Sequence, residues 1–259
     1  ANDEVHVLKG AEAVSYGSEA IAGVVVLGQK PLPYGGGTLQ GSLAGSFATN
    51  GRRYASLLKL QGALPSYPQL AWRAQVSYNQ GGDRSTARYL RENTGTSEFN
   101  YALSLGWRRE AWQLEGYFSQ YQNKTGLLPS GHLKNSNDIQ TLIDLGQPQT
   151  FRPFSYDIKP PFQQSQPFPP KGEVKWNLSD HHRIDFTASF QENLRQEFEN
   201  RKKADWSWIP MQDLILKTFK ADVLWHAKWN RWGMTTDVGT SNTYQTNYNY
   251  PGTKQPAFV

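Results

Sequence analysis

The chain has 259 residues, of which 37% are hydrophobic and 13% aromatic, and it carries a net charge of +5 and no cysteine. This composition excludes a disulfide scaffold and cysteine-based metal sites, and it argues against a disordered chain. The basic residues occur as scattered single residues and pairs, which disfavours a nucleic-acid-binding surface.

The first predicted element is a strand, a turn and a second strand between Val5 and Leu27. Alternating apolar residues lead to Lys9 and Gly10, and Gly23 precedes a β-branched run at residues 24–26. Glycines stand where the backbone must turn or be approached closely. The longest apolar run, residues 20–27, is much shorter than the roughly 20 residues of a membrane-spanning helix.

This stretch resembles the end of the plug domain of TonB-dependent outer-membrane receptors. The family pattern has alternating valines, a basic residue and glycine, then Tyr-Gly, and finally Gly-Val before the barrel begins. It is matched here by Lys9, Gly10, Tyr16, Gly17 and Gly23. Two residues depart from it, because Ala11 stands where the family usually has proline and Ala22 where it often has a second glycine.

After a Pro- and Gly-rich linker at residues 31–37, apolar residues recur at every second position. This period predicts strands with one apolar face and one polar face. We count about nine, at residues 39–47, 53–61, 70–79, 99–108, 112–119, 173–178, 184–191, 219–229 and 232–238. Aromatic residues bracket small apolar ones on a single face, as in lipid-facing strands with an aromatic girdle at each end.

From the third strand onward, the connections between these strands alternate between long and short. The hairpin at Asn50-Gly51 is an exception, because it is short although it is expected on the side of the long connections. Long segments are expected at residues 80–97, 122–170 and 192–212, and tight turns at residues 109–110, 179–181 and 230–231. Outer-membrane barrels have short periplasmic turns and long extracellular loops. The sequence therefore predicts an all-β fold, part of an antiparallel transmembrane β-barrel.

Two other interpretations are open. A soluble, aromatic-rich β-sandwich that binds carbohydrate would also alternate. A small complete barrel, acting as an adhesin or an outer-membrane enzyme, is disfavoured because residues 255–259 indicate a loop and bacterial single-chain barrels have an even number of strands. No enzyme constellation is evident, since serine-hydrolase, zinc-protease and phosphate-loop patterns are all missing from the sequence.

The outer segments strengthen the resemblance. Residues 77–83, 92–95, 126–139, 154–164 and 249–253 are similar to segments of TonB-dependent receptors of Bacteroidetes-type bacteria. The resemblance implies the end of a plug domain at residues 1–30, a linker at 31–37 and roughly the first nine of about 22 barrel strands at 38–259. The chain is then expected to be a piece of a longer precursor.

The same resemblance implies an importer in the outer membrane of a Gram-negative bacterium. Its expected cargo is a ferric siderophore, haem or another metal complex, and no resident cofactor or metal is expected. The expected partners are the outer-membrane lipid, the extracellular ligand, and TonB with its inner-membrane complex, which would contact the missing N-terminal part.

The family resemblance also implies roles for individual residues. Lys9 matches a basic plug position that pairs with barrel glutamates in the family, and Glu115 is its candidate partner; Glu4, Glu12 and Glu19 compete for it. Candidates for substrate contact are Tyr89, Arg91, Tyr121, His132, Arg152, Tyr156 and Trp206, although each could equally stabilise the outer loops.

The histidines of the sequence give little indication of a metal-binding site. His181 and His182 are expected to be solvated turn residues, because no third ligand stands nearby in the sequence. His226 falls on the polar face of a strand, where it would line the lumen. His132 is the only histidine that is a candidate axial haem ligand.

Overall fold

The computed structural model describes residues 4–10, 13, 22–35, 39–129, 136–147, 152–199, 208–229 and 233–249. Strands β1 (Glu4–Leu8) and β2 (Val24–Gly28) pair antiparallel in a small sheet of their own. The predicted strand pair near the N-terminus is therefore confirmed. Tyr16 and Gly17, between the two strands, lie outside the described residues.

Within the described ranges, the main sheet contains ten antiparallel strands. Their bounds are β3 (Gln40–Ala48), β4 (Arg53–Leu64), β5 (Tyr67–Gly81), β8 (Thr96–Arg109), β9 (Trp112–Gly126), β10 (Phe162–Phe168), β11 (Lys171–Ser179), β12 (His182–Phe198), β13 (Gln212–Trp229) and β14 (Met234–Asn249). A short hairpin of β6 (Arg84–Ser85) and β7 (Leu90–Arg91) lies between β5 and β8. In the part of the chain described, one helix of ten residues, α1 (Ser136–Leu145), follows β9.

Strands β10 and β11 share one position in the sheet, since both pair with β9 on one side and with β12 on the other. The sheet therefore has nine strand positions, as predicted. The prediction of an unbroken loop over residues 122–170 is wrong, because β9 continues to Gly126 and the segment also contains α1 and β10. Prolines at positions 167, 169 and 170 interrupt the periodicity there.

Other strands also extend beyond their predicted ends. β12 continues to Phe198 and β14 to Asn249, so part of the expected loops is strand. Trp232, expected in the last strand, falls outside the described residues. The tight turns after β4, β8 and β11 all lie at one end of the sheet, where β13 also ends and β14 begins. The long connections after β5, β9 and β12 start from the other end.

Burial in the main sheet is the inverse of that in a soluble protein. Polar Arg73, Gln75 and Asn79 are buried on one face of β5. On the opposite face of the sheet the large apolar side chains are exposed, Leu105 for example by 56%. The exposed set on these strands includes Leu43, Phe47, Leu58, Val76, Leu103, Leu114, Phe186, Phe219, Val223 and Tyr244. We call the two surfaces the polar face and the outward face.

The soluble-sandwich interpretation is wrong for the described strands. It required the aromatic face to pack against a second sheet, but the element contacts of the main-sheet strands are with their neighbours in the same sheet. Trp72, Trp107 and Trp225 stand in the register of the outward face and are not enclosed between two layers. Among the described helices, none is long and apolar enough to cross a membrane.

Two rows of aromatic side chains border the exposed apolar band. Near the tight turns, Trp112 and Trp176 stack with ring centroids 4.8 Å apart. Toward the long connections, Phe118 contacts Tyr101 at 6.0 Å and Phe168 at 5.2 Å. Aromatic rows of this kind are typical of the two interfaces of a membrane-spanning sheet. We call the second set the loop-side aromatic row.

Candidate functional site

A buried arginine holds the segment that joins the small sheet to the main sheet. Arg73 on β5 is 2% exposed, and its guanidinium donates a hydrogen bond to Gln29 Oε1 at 3.0 Å. The carbonyl oxygens of Lys30 and Pro31 accept two more, at 2.9 and 3.3 Å. Since a buried charge is tolerated only when its hydrogen bonds are made, Arg73 fixes this segment against the polar face.

Further along the linker, Tyr34 forms a second attachment. Its hydroxyl donates to Glu115 Oε1 at 2.9 Å, and the Arg108 guanidinium lies 4.5 Å above its ring. Burial and the hydrogen bond to Glu115 raise the pKa of Tyr34 well above its usual range, so the hydroxyl remains a donor. The ring fits because residue 106 is glycine, where a Cβ atom would collide with the Tyr34 hydroxyl oxygen.

An apolar contact completes the attachment. Leu32 is 6% exposed and packs with Ala63 of β4 and Ala71 of β5. The amide of Gly35 then donates to the carbonyl of Pro68 at 2.9 Å. We call the contacts of Leu32, Tyr34, Arg73 and Glu115 the linker anchor.

Two carboxylates face each other beside the linker anchor. Glu115 on β9 is the direct register partner of Glu173 on β11. Like charges directly opposite one another destabilise a sheet, and here Gln113 Nε2 donates to Glu115 at 2.9 Å while Lys171 pairs with Glu173. Lys9 forms no ion pair with Glu115 among the described residues, so the predicted latch stays a prediction.

The polar face of the last three strands carries a connected set of charges. His226 lies between Asp237 Oδ1, 2.7 Å from its Nδ1, and Asp185 Oδ2, 3.1 Å from its Nε2. Arg183 pairs with Asp185 at 2.8 Å. Within the described ranges, no group of three or more His, Cys, Asp or Glu residues could hold a metal ion. His226 thus lies on the polar face, as expected.

The two turn histidines differ. His181 lies in the turn between β11 and β12, as expected. His182 begins β12 on the outward face and stacks on Trp225 with a centroid distance of 5.7 Å. The interpretation of His182 as a solvated turn residue was wrong, because its partner on β13 was not evident from the local sequence.

The long connections are tied together by a buried aspartate. Asp83 is 4% exposed, and its two carboxylate oxygens accept hydrogen bonds from the amides of Thr94 at 3.1 Å and Ser155 at 3.2 Å. The Asp83 amide donates to the Ser155 carbonyl at 3.0 Å. One side chain therefore joins the connection after β5 to the connection after β9.

A cavity of about 450 Å³ lies between these connections. Its wall includes Arg152 and Lys159 but also Asp83, Glu92 and Asp157, so it offers groups of both charges to a ligand. Arg152 pairs with Glu92 at 3.0 Å.

The predicted substrate residues do not form one site. Arg152 lines the cavity between the connections, whereas Tyr121 lines a separate cavity of about 260 Å³ on the polar face. Tyr156 donates to the Arg52 carbonyl at 2.8 Å, while Tyr89 and Arg91 belong to the β6–β7 hairpin; none of these three lines either cavity. His132 and Trp206 fall in ranges that the structure does not describe.

Sequence reasoning missed Tyr34, Arg73 and Asp83. Arg73 falls in the predicted strand at residues 70–79 and Asp83 in the segment at residues 77–83, but the local sequence of neither indicates a partner. The available signal was an aromatic residue, Tyr34, in an otherwise Pro- and Gly-rich linker.

Comparison with known proteins gives structural neighbours only. No family model matches the chain, and neither does any curated protein. The open form of the ferric-catecholate import receptor Fiu from Escherichia coli K12 superposes with a TM-score of 0.67 at 16% identity, over 96% of this chain and 40% of that one.

Two other solved structures give similar values. The ferripyoverdine receptor of Pseudomonas aeruginosa has a TM-score of 0.65 at 16% identity, with 96% of this chain and 33% of that chain covered. The siderophore receptor PiuA from Acinetobacter baumannii has a TM-score of 0.61 at 17% identity, with coverages of 96% and 36%. This chain therefore spans between a third and two fifths of these receptors and shares their antiparallel barrel fold over that part, which confirms the predicted fold class.

Proposed function

We propose that this chain is the end of the plug and the first part of the barrel of a TonB-dependent receptor, which imports a nutrient across the outer membrane of a Gram-negative bacterium. The observation that most directly supports this proposal is the inverted burial of the main sheet. Its polar face contains the buried Arg73, while its large apolar residues are exposed on the other face. Such a surface is stable in lipid and a liability in water. A Bacteroidetes-type source remains part of the proposal.

The domain organisation follows from the same proposal. Residues 1–30 are the end of the plug, residues 31–37 the linker, and residues 38–259 the first part of the barrel. The linker anchor supports this division, because it joins the segment after β2 to the polar face that would line the lumen.

For the plug we propose a latch of charges. In this latch, Lys9 or another basic plug residue meets the facing carboxylates of Glu115 and Glu173. Among the described ion pairs, Glu173 has Lys171 as its partner, whereas Glu115 has no cationic partner. A cation there would relieve the repulsion between them. TonB would act on the missing N-terminal part, and the transport involves no covalent step on the cargo.

The proposed cargo is a ferric siderophore, haem or another metal complex. The neighbours support this class, since their names specify ferric catecholate, ferripyoverdine and siderophore. Arg152 at the cavity between the long connections and Tyr121 on the polar face are our first candidates for contact. Tyr89, Arg91, His132, Tyr156 and Trp206 remain weaker candidates.

The test is uptake by the whole receptor. A strain that lacks the full-length gene is grown with single iron sources, namely ferric catecholates, ferric hydroxamates or haem, and is complemented with the wild-type gene. We expect restored growth and uptake of labelled iron on one source, and no uptake when TonB is deleted. Uptake that is unchanged without TonB, or a receptor that fractionates away from the outer membrane, would refute the proposal.

A further inference from the structure

A cavity without charged walls lies on the polar face, behind the loop-side aromatic row. Its volume is about 260 Å³. Ser119 lines it and follows Phe118 of that row on β9, so the two side chains project from opposite faces of the sheet. The polar side chains described in its wall carry amide and hydroxyl groups; they include Gln29, Gln75, Ser77, Asn100, Tyr117 and Tyr121. Because none of the described residues in this wall is charged, we call it the neutral cavity.

One acceptor in the neutral cavity lacks a donor. Asn100 Nδ2 donates to Ser77 Oγ at 3.0 Å, whereas Asn100 Oδ1 is buried and accepts no hydrogen bond from the described residues. A buried acceptor without a partner destabilises the structure until a donor reaches it. Asn100 therefore favours a ligand that brings an N–H or O–H group.

Two donors stand in the same wall. Arg73 has only donors, so the Gln29 atom that it contacts at 3.0 Å is the carbonyl oxygen, and the NH₂ group of Gln29 is left for other acceptors. The Tyr121 hydroxyl accepts from Asn123 Nδ2 at 3.0 Å, and its own hydrogen can be donated. An acceptor together with two donors complements an amide group, which has one N–H and one carbonyl oxygen.

Two cations stand beside the neutral cavity without lining it. Arg73 makes four hydrogen bonds, to Gln61 and to residues 29–31, and these occupy its guanidinium. Lys59 is the register partner of Gln75 but is not part of the wall. An anion that entered the cavity would lose its water without gaining a counter-charge, which is unfavourable.

The cavity between the long connections also disfavours an anion. Its described wall contains two cations, Arg152 and Lys159, but three carboxylates, which belong to Asp83, Glu92 and Asp157. Arg152 is already paired with Glu92 at 3.0 Å. The net formal charge of these residues is therefore negative, and a negative cavity repels an anionic complex as it approaches.

We infer that the cargo is an uncharged ferric complex with hydroxamate ligands, and that the neutral cavity binds an amide-bearing arm of this complex. The inference rests on the proposed function and narrows its cargo class. Three hydroxamates neutralise the charge of ferric iron, whereas three catecholates leave the complex trianionic and haem carries propionates. Asn100 Oδ1 accepts from an amide N–H of the arm, and Gln29 and Tyr121 donate to its carbonyl oxygens. The volume of the neutral cavity suits one arm and not the whole complex.

The first test compares iron complexes of different charge. A Gram-negative strain without other receptors for the probes carries the full-length gene. Labelled iron is supplied as ferrichrome or coprogen, which are uncharged trihydroxamates, as ferric enterobactin, which is a trianionic catecholate, or as haem. We expect TonB-dependent uptake of at least one uncharged complex to be at least about tenfold faster than that of ferric enterobactin or haem.

The outcomes separate this inference from the proposed function. TonB-dependent uptake of a charged complex but of neither uncharged one would overturn the inference and leave the proposed function in place. Equal uptake of the two classes would do the same. If none of the four probes is taken up through TonB, both the inference and the iron-import function are wrong.

A second test assigns the neutral cavity. Asn100→Leu and Tyr121→Phe each remove one hydrogen-bonding group, so we expect the KM for uptake of the uncharged complex to rise about 3- to 10-fold while Vmax stays within about twofold. The matched control is Asn193→Leu on the polar face of β12. Asn193 accepts from Ser165 at 3.2 Å and lines neither cavity, so its KM should equal that of the wild type. Equal changes in KM for Asn100→Leu and Asn193→Leu, or unchanged KM in both cavity variants, would contradict this assignment.

Discussion

Arg73→Met is the sharpest test of the linker anchor. The variant keeps the length of the side chain but removes the three hydrogen bonds from Arg73 to residues 29–31, at the start of the linker, which are 3.0, 2.9 and 3.3 Å long. A hydrogen bond from a charged donor contributes about 1.5–3 kcal/mol. Two of these three hydrogen bonds share one donor nitrogen, and one of them is long, so we estimate a total loss of about 3 kcal/mol of stabilisation. This loss raises the equilibrium constant for detachment of the linker roughly 100-fold.

Detachment can be measured with a cysteine placed beneath the linker. Ala63 is 5% exposed and packs with Leu32, so Ala63→Cys should react with a maleimide only when the linker lifts away. These 259 residues contain no cysteine, and any in the remainder of the receptor would be replaced by serine. In the full-length protein we expect Arg73→Met to accelerate labelling roughly 100-fold when the linker recloses faster than it is labelled.

A matched arginine controls for nonspecific loosening of the sheet. Arg53 lies on the adjacent strand β4, and its Nε donates to Asn79 Oδ1 at 2.7 Å. Arg53→Met should leave the labelling rate of the Ala63→Cys protein within about twofold of its original value. The hydrogen bond that this substitution removes joins β4 to β5 and does not involve the linker. If both variants accelerate labelling equally, or if neither does, Arg73 does not hold the linker.

Three further outcomes are expected. Tyr34→Phe, which removes only the hydrogen bond to Glu115 at 2.9 Å, should increase the same labelling rate about 10-fold; an unchanged rate would mean that the ring alone holds the linker. Asp83→Ala should make the long connections at least about 10-fold more sensitive to added protease in intact cells, since it frees two backbone amides. Trp176→Ala, which removes the ring stacked on Trp112 at 4.8 Å, should lower the free energy of unfolding in detergent by about 1–3 kcal/mol; unaltered stability would contradict a structural role for the pair.

The strands that cross the proposed membrane were predictable because two constraints act together on them. On β5, residues 72–79 alternate strictly between apolar and polar side chains, and the structure places Arg73 and Gln75 on the buried polar face. A strand exposed to lipid on one side and to a polar interior on the other must alternate in this way. The alternation of connection lengths then fixed which end of the sheet carries the long segments.

Beyond the apolar band the strands no longer face lipid on one side, so the alternation of apolar and polar residues is lost. The ends of the strands were therefore not predicted there. On β10, Gln163 and Gln164 face opposite sides but have the same side chain, so the sequence shows no period of two. The hydrogen bonds that define β10 come from β9 and β12, which are tens of residues away in sequence. Strand continuation there is determined by pairing with neighbours and not by local hydrophobicity.

The linker anchor could not be predicted from the sequence because it also depends on contacts between distant residues. Tyr34 and Glu115, for example, are 81 residues apart. Even so, the missed contact changes how the predicted latch should be understood. Glu115 accepts the Tyr34 hydroxyl on one oxygen and is also the proposed partner of the plug cation, so one carboxylate would serve both the linker and the plug. A substitution at Glu115 therefore cannot separate the two roles, whereas Tyr34→Phe leaves the carboxylate in place. Uptake by Tyr34→Phe, compared with its linker-labelling rate, distinguishes a linker that must stay attached during transport from one that must detach.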